Sequence, residues 1–467
     1  MKKRMIYLFA FAFLLFSCNK ENSTENKNPE KATEKSFSQT VNNGNVDFEK
    51  YFEDKTMRFD YFHTGTSNEE HFAPDKFLSD GIWPGSKTKL IDELELGLYF
   101  YEILDSESNT LLYSRGFASI FGEWQTIPEA AEQWGTFHES IRFPWPKKPV
   151  KILMKKRDSL NVFQTIWETS IDPASRKANP ADIVHSNNIY TIQENGPASE
   201  KVDILILGDG YTSEEMSKFR ADAKRLAGNL MDAEPYKSRQ TDINIRAIET
   251  PSAVSGVNRP HPGIFKRTTL QTHYSSFDSE RYVLAYENKL IRDIASQVPY
   301  DILVIVVNEK TYGGGGIYNL YGTVSADNKF SNYIMVHELG HSIAALADEY
   351  YTSAVSYEVS DKVTVEPWEL NVTALMDKEN LKWKHLVEEG TPIPTPWNKE
   401  EFDKFGYEIQ KERSELRAKK VPESEVEALF ERQHKQETEY FEKEKYKDKV
   451  GAFEGASYMQ KACTVLR

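Results

Sequence analysis

The sequence predicts a multidomain protein: a β-sandwich-like N-terminal domain, then an α/β domain carrying a metal-binding helix and a charged helical insertion. Three observations predict it. Short aromatic or alternating runs fill residues 47–171. Near-continuous apolar runs separated by helical stretches begin near residue 201. His337-Glu338-Leu339-Gly340-His341 stands inside an apolar-rich segment. Period-two runs broken by turn residues read as strands covered on one face, and apolar runs alternating with helices read as a sheet layered with helices.

The elements follow in chain order. Lys2-Lys3-Arg4 precedes an apolar stretch at 5–16 that is too short to span a bilayer, so residues 1–17 read as a signal peptide. Leu15-Phe16-Ser17-Cys18 has the form of a lipobox, which makes Cys18 the lipidation site. Residues 18–46, rich in Asn, Lys, Glu and Ser, are expected to be a disordered tether. The expected location is that of an exported bacterial lipoprotein at the outer membrane or cell surface, touching the membrane through its lipid anchor only. Cys463 is the other of two cysteines, so an acylated Cys18 leaves no intramolecular disulfide. A net charge of −14 argues against nucleic acid and against electrostatic docking on anionic lipid.

In residues 47–171, runs such as 57–62, 94–101 and 150–154 are separated by turn signals such as Asp80-Gly81 and Pro84-Gly85. Trp83, Trp124, Trp134 and Trp145 are expected to serve core and rim packing in preference to a carbohydrate platform. Residues 172–200, with Pro173, Pro180 and Pro197, read as the linker to a domain over 201–467. There, strands are expected at 202–207, 244–248 and 301–307. A capping box, Thr212 with Glu215, opens a helix to about Met231, and a second helix is expected over 280–297. Gly313 to Gly316 read as a flexible loop without the Gly-Lys-Ser/Thr ending of a phosphate loop. Strand 321–325 is expected to form a sheet edge where an extended peptide could pair. Residues 398–449 hold 13 Lys or Arg and 15 Asp or Glu among 52 residues. With Val426, Leu429 and Phe430 at helical spacing, they read as one or two amphipathic helices projecting into solvent.

The motif carries the chemistry. Ser331-Asn332 is the expected N-cap of its helix. Residues four apart share a helix face, so His337 and His341 can offer two imidazoles to one metal, with the Glu338 carboxylate beside them. Catalytic zinc takes three protein ligands and keeps one open position. Asp348 is the expected third ligand. A straight helix would carry position 348 about 10 Å along the axis from His341, so the helix must end near Ala344–Ala345 and the chain must turn back. Glu349, His261 and His385 stay open as alternatives, and Tyr350 or Tyr351 could steady an oxyanion.

With residues 204–212, Pro251-Ser252, Ser255-Gly256-Val257, 312–319, 337–351 and 450–455, the chain resembles the bacterial IgA-peptidase family of zinc metallopeptidases, the igalysins. The resemblance covers nearly everything after the tether. It implies a metzincin-like zinc-peptidase domain behind a β-rich one. It implies one Zn2+ on His337, His341 and Asp348, Glu338 as general base, and a protein or peptide substrate such as a host glycoprotein. Immunoglobulin A itself is not carried over, because specificity lies in loops. Ala345 stands where a glycine is expected. Residues 461–467 replace an expected methionine turn, and the expectation is that a shifted reading frame truncated the C-terminus, weakening zinc retention and activity. The rival readings are a catalytically impaired surface protein of the same fold that binds protein or glycan, and a zinc amidase acting on cell-wall peptides.

Overall fold

The computed structural model describes residues 46–184, 186–350, 364–457 and 459–464. The expected signal peptide, Cys18, the tether up to residue 45, Tyr351 and residues 465–467 lie outside the described residues. Among the described residues, no helix is long and apolar enough to cross a membrane.

Alternation at period two is realised in the first domain as two four-stranded sheets. A short helix α1 (Phe48–Tyr51) leads into β1 (Phe52–Gly65), β2 (Glu70–Ser79), β3 (Tyr99–Asp105) and β4 (Leu111–Phe117). Helices α2 (Ile120–Trp124) and α3 (Glu129–Glu132) precede β5 (Gly135–Pro146), β6 (Val150–Arg157) and β7 (Phe163–Ile171), and β8 (Ala178–Asn179) closes the set. The strand orders are β5-β1-β2-β8 and β4-β3-β6-β7. Phe59, Tyr61 and Phe77 from the first sheet share one core with Tyr101, Ile103, Ile152 and Met154 from the second. Trp83, Trp124 and Trp145 are buried, and only Trp134, at 57 %, is well exposed. Three of the four tryptophans therefore pack inside the protein and form no surface platform.

The stretch expected as linker is woven into both domains. β8 pairs with β2, and β9 (Ile189–Gln193) pairs antiparallel with β11 (Ile243–Ile248) of the second domain. That domain centres on a six-stranded sheet in the order β15-β16-β14-β10-β11-β9, where β10 is Val202–Asp209, β14 Ile302–Val307, β15 Gly314–Ile317 and β16 Tyr321–Ser325. Strands β16, β14, β10 and β11 run parallel, and both edges are antiparallel. Ile204 and Ile206 face one side, with α4 (Met216–Asp232) and α6 (Ser331–Ala344). Leu205 and Leu207 face the other, with α5 (Asn288–Ala295). A strand covered on both faces needs apolar residues at every position, which explains the continuous run. Thr212 and Glu215 form the capping box, ahead of a 3₁₀ turn that runs into α4.

Three expectations need correction here. The helix expected over 280–297 forms only at Asn288–Ala295. Leu284–Ala285 is instead β13, which pairs with β12 (Thr272–His273), so tertiary pairing overrides helical propensity. Strand 321–325 is interior, held between β14 and β15. The edge is β15, the glycine run expected as a loop. Its bareness is what lets it lie on α6: a Cβ on Gly316 would stand 2.3 Å from the Glu338 carbonyl oxygen, and one on Gly314 2.6 Å from Ile334. That edge is partly covered, since Arg281 and Val283 bond to Gly314 and Ala118 bonds to the Tyr318 carbonyl.

The charged segment at 398–449 forms α7 (Lys399–Ala418) and α8 (Glu423–Phe441). It does not simply project into solvent. Phe430 lies 5.2 Å from the Tyr312 ring and 5.9 Å from that of Phe330, and the Glu423 carboxylate accepts the Tyr312 N–H at 3.1 Å. A last sheet joins β17 (Val372–Thr373), β19 (Met459–Thr464) and β18 (Phe453–Ala456) in that order.

The two domains are bound by a buried ion cluster. The Arg58 guanidinium reaches Asp60 at 2.9 Å, Asp80 at 2.9 Å and, across the junction, Asp293 of α5 at 2.6 Å. Arg142 joins Asp80 at 2.7 Å and lies 3.6 Å from the Tyr300 ring centre. Burial opposes the charge on Arg58, but Asp80, Asp60 and Asp293 outweigh it and push its pKa up.

Candidate metal centre

Helix α6 carries the first donors. Ile334, Met335 and Leu339 bury one face against the sheet, which leaves His337, Glu338 and His341 on the half-buried side. Phe330 is the N-cap and makes no side-chain cap. Ser331 is already helical, and its hydroxyl donates back to the carbonyls of Ser325 and Asn328, so the expected Ser331-Asn332 cap is displaced by one residue.

Ala345 ends the helix at φ 51°, the left-handed region, with its N–H on the His341 carbonyl at 2.9 Å. Glycine takes this conformation at no steric cost; here alanine takes it. The chain then turns back as the position of Asp348 requires. That turn is clamped. The Asn371 side chain accepts the Ala347 N–H at 3.0 Å and donates to its carbonyl at 2.9 Å, and the Ser457 N–H donates to the Asp348 carbonyl at 2.8 Å.

Three donors meet as a result. His337 Nε2 and His341 Nε2 each stand 3.2 Å from Asp348 Oδ1, and 3.2 Å from one another. Donors on a tetrahedral zinc at about 2.0–2.1 Å are separated by roughly 3.3–3.4 Å, so this triangle fits such an ion. His341 Nδ1 donates to the Leu346 carbonyl at 2.5 Å, which leaves the Nε2 lone pair aimed at the triangle. The three side chains are 22, 19 and 15 % exposed, so the point is reachable from solvent. A Glu338 carboxylate oxygen lies within 4.8 Å of both imidazoles, and a Cβ on Gly314 would stand 2.7 Å from Glu338 Oε1.

The electrostatics follow from that crowding. Burial works against the charge on His341, but the hydrogen bond and charge of Asp348 outweigh it and push its pKa up to about 9. Burial would raise Asp348, yet the two histidines hold it well below the usual carboxylate range. Burial raises Glu338, partly offset by the histidines. The ionised Asp348 carboxylate thus favours positive charge at His341, the same preference that would favour a cation there.

Of the alternatives, His261 pairs with Ser275 and Asp278, and His385 is exposed on the 3₁₀ turn Lys384–Leu386; neither joins the triangle. Glu349 binds the Asn371 side chain at 3.3 Å. The Tyr350 ring stacks 6.0 Å from His337, and Arg281 donates to its hydroxyl at 3.3 Å.

Sequence reasoning missed five neighbours. Tyr333 stacks 5.6 Å from His337. The half-buried Tyr312 lies in the fields of Arg281, Glu338, Arg413 and Asp348. From the N-terminal domain, the Glu123 carboxylate accepts a short hydrogen bond from the Tyr282 hydroxyl, and the Tyr282 ring covers Gly315. Arg281 completes the set. Tyr333 stands four residues before His337 on α6, so the i,i+4 rule could have found it, while the others come from segments that the topology delivers.

Two comparisons with known proteins bear on this arrangement. The family described as IgA Peptidase M64 matches residues 190–464, and the one described as Peptidase M64 N-terminus matches residues 47–168. No curated protein matches the chain.

Proposed function

The chain belongs to the IgA peptidase M64 family, and from that premise we propose that it hydrolyses peptide bonds in proteins or peptides, with one Zn2+ held by His337, His341 and Asp348. When bound, zinc supplies Lewis acidity at neutral pH. Glu338 is the general base: its carboxylate takes the proton of the attacking water and passes it to the leaving amine. His341 is oriented for its part by the Leu346 carbonyl, and Asp348 by the clamp of Asn371 and Ser457. The observation that carries the reading is the 3.2 Å triangle of two imidazoles and a carboxylate with a second carboxylate at its side.

The test pairs metal analysis with a substitution in the zinc-loaded full chain. About one zinc per chain is expected, with casein hydrolysis that falls on the order of 10²–10⁴-fold in Glu338→Gln while zinc content holds. Casein hydrolysis that persists in Glu338→Gln would exclude the general base. A peptidoglycan digest run in parallel separates the amidase alternative, and a zinc-replete chain inert on both substrates would favour the catalytically impaired one.

A further inference from the structure

We propose that Arg413, on the helical hairpin whose Phe430 packs on Tyr312 beside the metal centre, binds a carboxylate of the peptide substrate; this rests on the peptidase reading above.

The helical hairpin is fixed close to the site. Its Glu423 and Phe430 hold Tyr312, and Glu427 accepts from the Asn328 side chain at 3.0 Å just ahead of α6. Arg417 of α7 is used in this docking, with Glu423 at 2.6 and 3.0 Å and Glu280 at 3.8 Å. Arg413 stands one turn earlier on the same helix. It is half-buried, its guanidinium lies 5.5 Å from the Phe430 ring centre, and its hydrogen bond is a long one, 3.4 Å to Gln410 of its own helix. Among the described residues no carboxylate forms an ion pair with it.

Arg281 ties this cation to the chemistry. It follows Glu280, the partner of Arg417. Its carbonyl accepts the Gly314 N–H at 3.2 Å, and a Cβ on Gly314 would stand 2.7 Å from a Glu338 carboxylate oxygen. Its guanidinium reaches the Tyr350 hydroxyl, whose ring stacks on His337. Burial first, then the charges of Arg281 and Arg417, bring the Arg413 pKa down to about 10, so it stays cationic at neutral pH. Like charges gathered in a half-buried place repel unless an anion sits among them. Arg417 has two such anions within reach, whereas among the described residues Arg413 forms no ion pair and feels the Glu280 charge only at longer range.

In a chain of net charge −14, this is a local device and not a general field. A guanidinium fork matches a carboxylate bidentately, which favours that anion over a point contact. Peptides carry carboxylates in two places, the Asp or Glu side chain and the C-terminal α-carboxylate.

Matched internally quenched peptides distinguish these sources: one series exchanges Glu for Gln at each position flanking the cleaved bond, and another exchanges a free C-terminus for an amide. With the zinc-loaded full chain, one acidic member is expected to exceed its neutral twin about tenfold in kcat/KM, mainly through KM, as a charge-assisted hydrogen bond gives. In Arg413→Gln that ratio collapses toward one, and in Arg413→Lys, which keeps charge and loses the fork, it falls part of the way. Ratios near one throughout the wild type, or a ratio unchanged in Arg413→Gln, overturn the proposal. Thermal melts check that the variants fold, and Arg413→Lys carries the test if Arg413→Gln does not. If no peptide is cleaved, the peptidase reading fails, and fluorescence anisotropy of the labelled acidic and neutral peptides decides the anion question; equal affinities sink it.

Discussion

Two clusters of buried charge behave in opposite ways. At the domain junction, Asp60, Asp80 and Asp293 surround Arg58, and Arg142 supplies a second cation to Asp80. The protein provides its own positive charge there. At the turn after α6, two imidazole nitrogens and a carboxylate oxygen face one another at 3.2 Å, and their proximity is eased by protons or by a metal. Convergence of acidic groups is therefore a poor guide to a metal site unless the local cations are counted. Asp60, Asp75 and His138 have donor atoms close enough to hold an ion, but Asp60 is already taken by Arg58 and by the Ser140 hydroxyl at 2.6 Å. The first cluster holds domains together, and the second is suited to chemistry.

The contrast is broken most directly at Asp348. In Asp348→Asn, zinc retained after dialysis and peptide turnover are both expected to fall by at least about two orders of magnitude, beyond the 10–100-fold typical of residues that only support a ligand. Full zinc retention in that variant would move the third ligand elsewhere, with Glu349 the next position to examine. The junction should respond in stability. Arg58→Met strands two buried aspartates without their shared cation, at a cost of about 3–5 kcal/mol in denaturant unfolding, while zinc per folded chain is unchanged. A loss below about 1 kcal/mol would mean that Arg142 alone compensates the cluster, and zinc loss in the folded protein would mean that the two clusters are coupled.

What could be read in advance divides along the same line. His337, Glu338 and His341 fall within five residues, and Asp348 follows seven later, so helix geometry alone constrains them. The requirement that the helix stop near Ala345 came from distance along its axis, and the structure ends α6 there. The strands at 202–207 and 301–307 were legible because burial on both faces forces an unbroken apolar run. The glycine strand β15 was not, since four glycines offer no side-chain pattern and the pairing comes wholly from the backbone and the close approach of α6. The helix over 280–297 was over-read because helical propensity in residues 280–287 yields to pairing with β12 and to contact with Gly314. Asn371, Ser457, Arg281 and Glu123 reach the site from segments far away in sequence, and nothing local in the chain marks them.

Glu123 sharpens the comparison, because its half-buried carboxylate pairs with no arginine and is not one of the metal-ligand candidates. Among the described residues it pairs with no lysine or arginine; its carboxylate has the Tyr282 hydroxyl. Burial pushes its pKa up to about 7, against the opposing effects of that hydroxyl and of His341. A proton thus does for Glu123 what Arg58 does for Asp60. The sign follows from linkage. With a folded pKa near 7 and an unfolded value near 4.5, the unfolded chain releases this proton first as pH rises. The stability it contributes is full below about pH 4.5 and is lost as pH rises through about 7. Glutamine is neutral throughout and can still accept from Tyr282. Glu123→Gln should therefore melt close to the wild type at pH 4.5 and progressively above it toward pH 8. The melts belong in chelator, so that metal occupancy does not change with pH. A gap between the two melting curves that stays constant from pH 4.5 to 8 would show that folding does not raise the Glu123 pKa above its unfolded value.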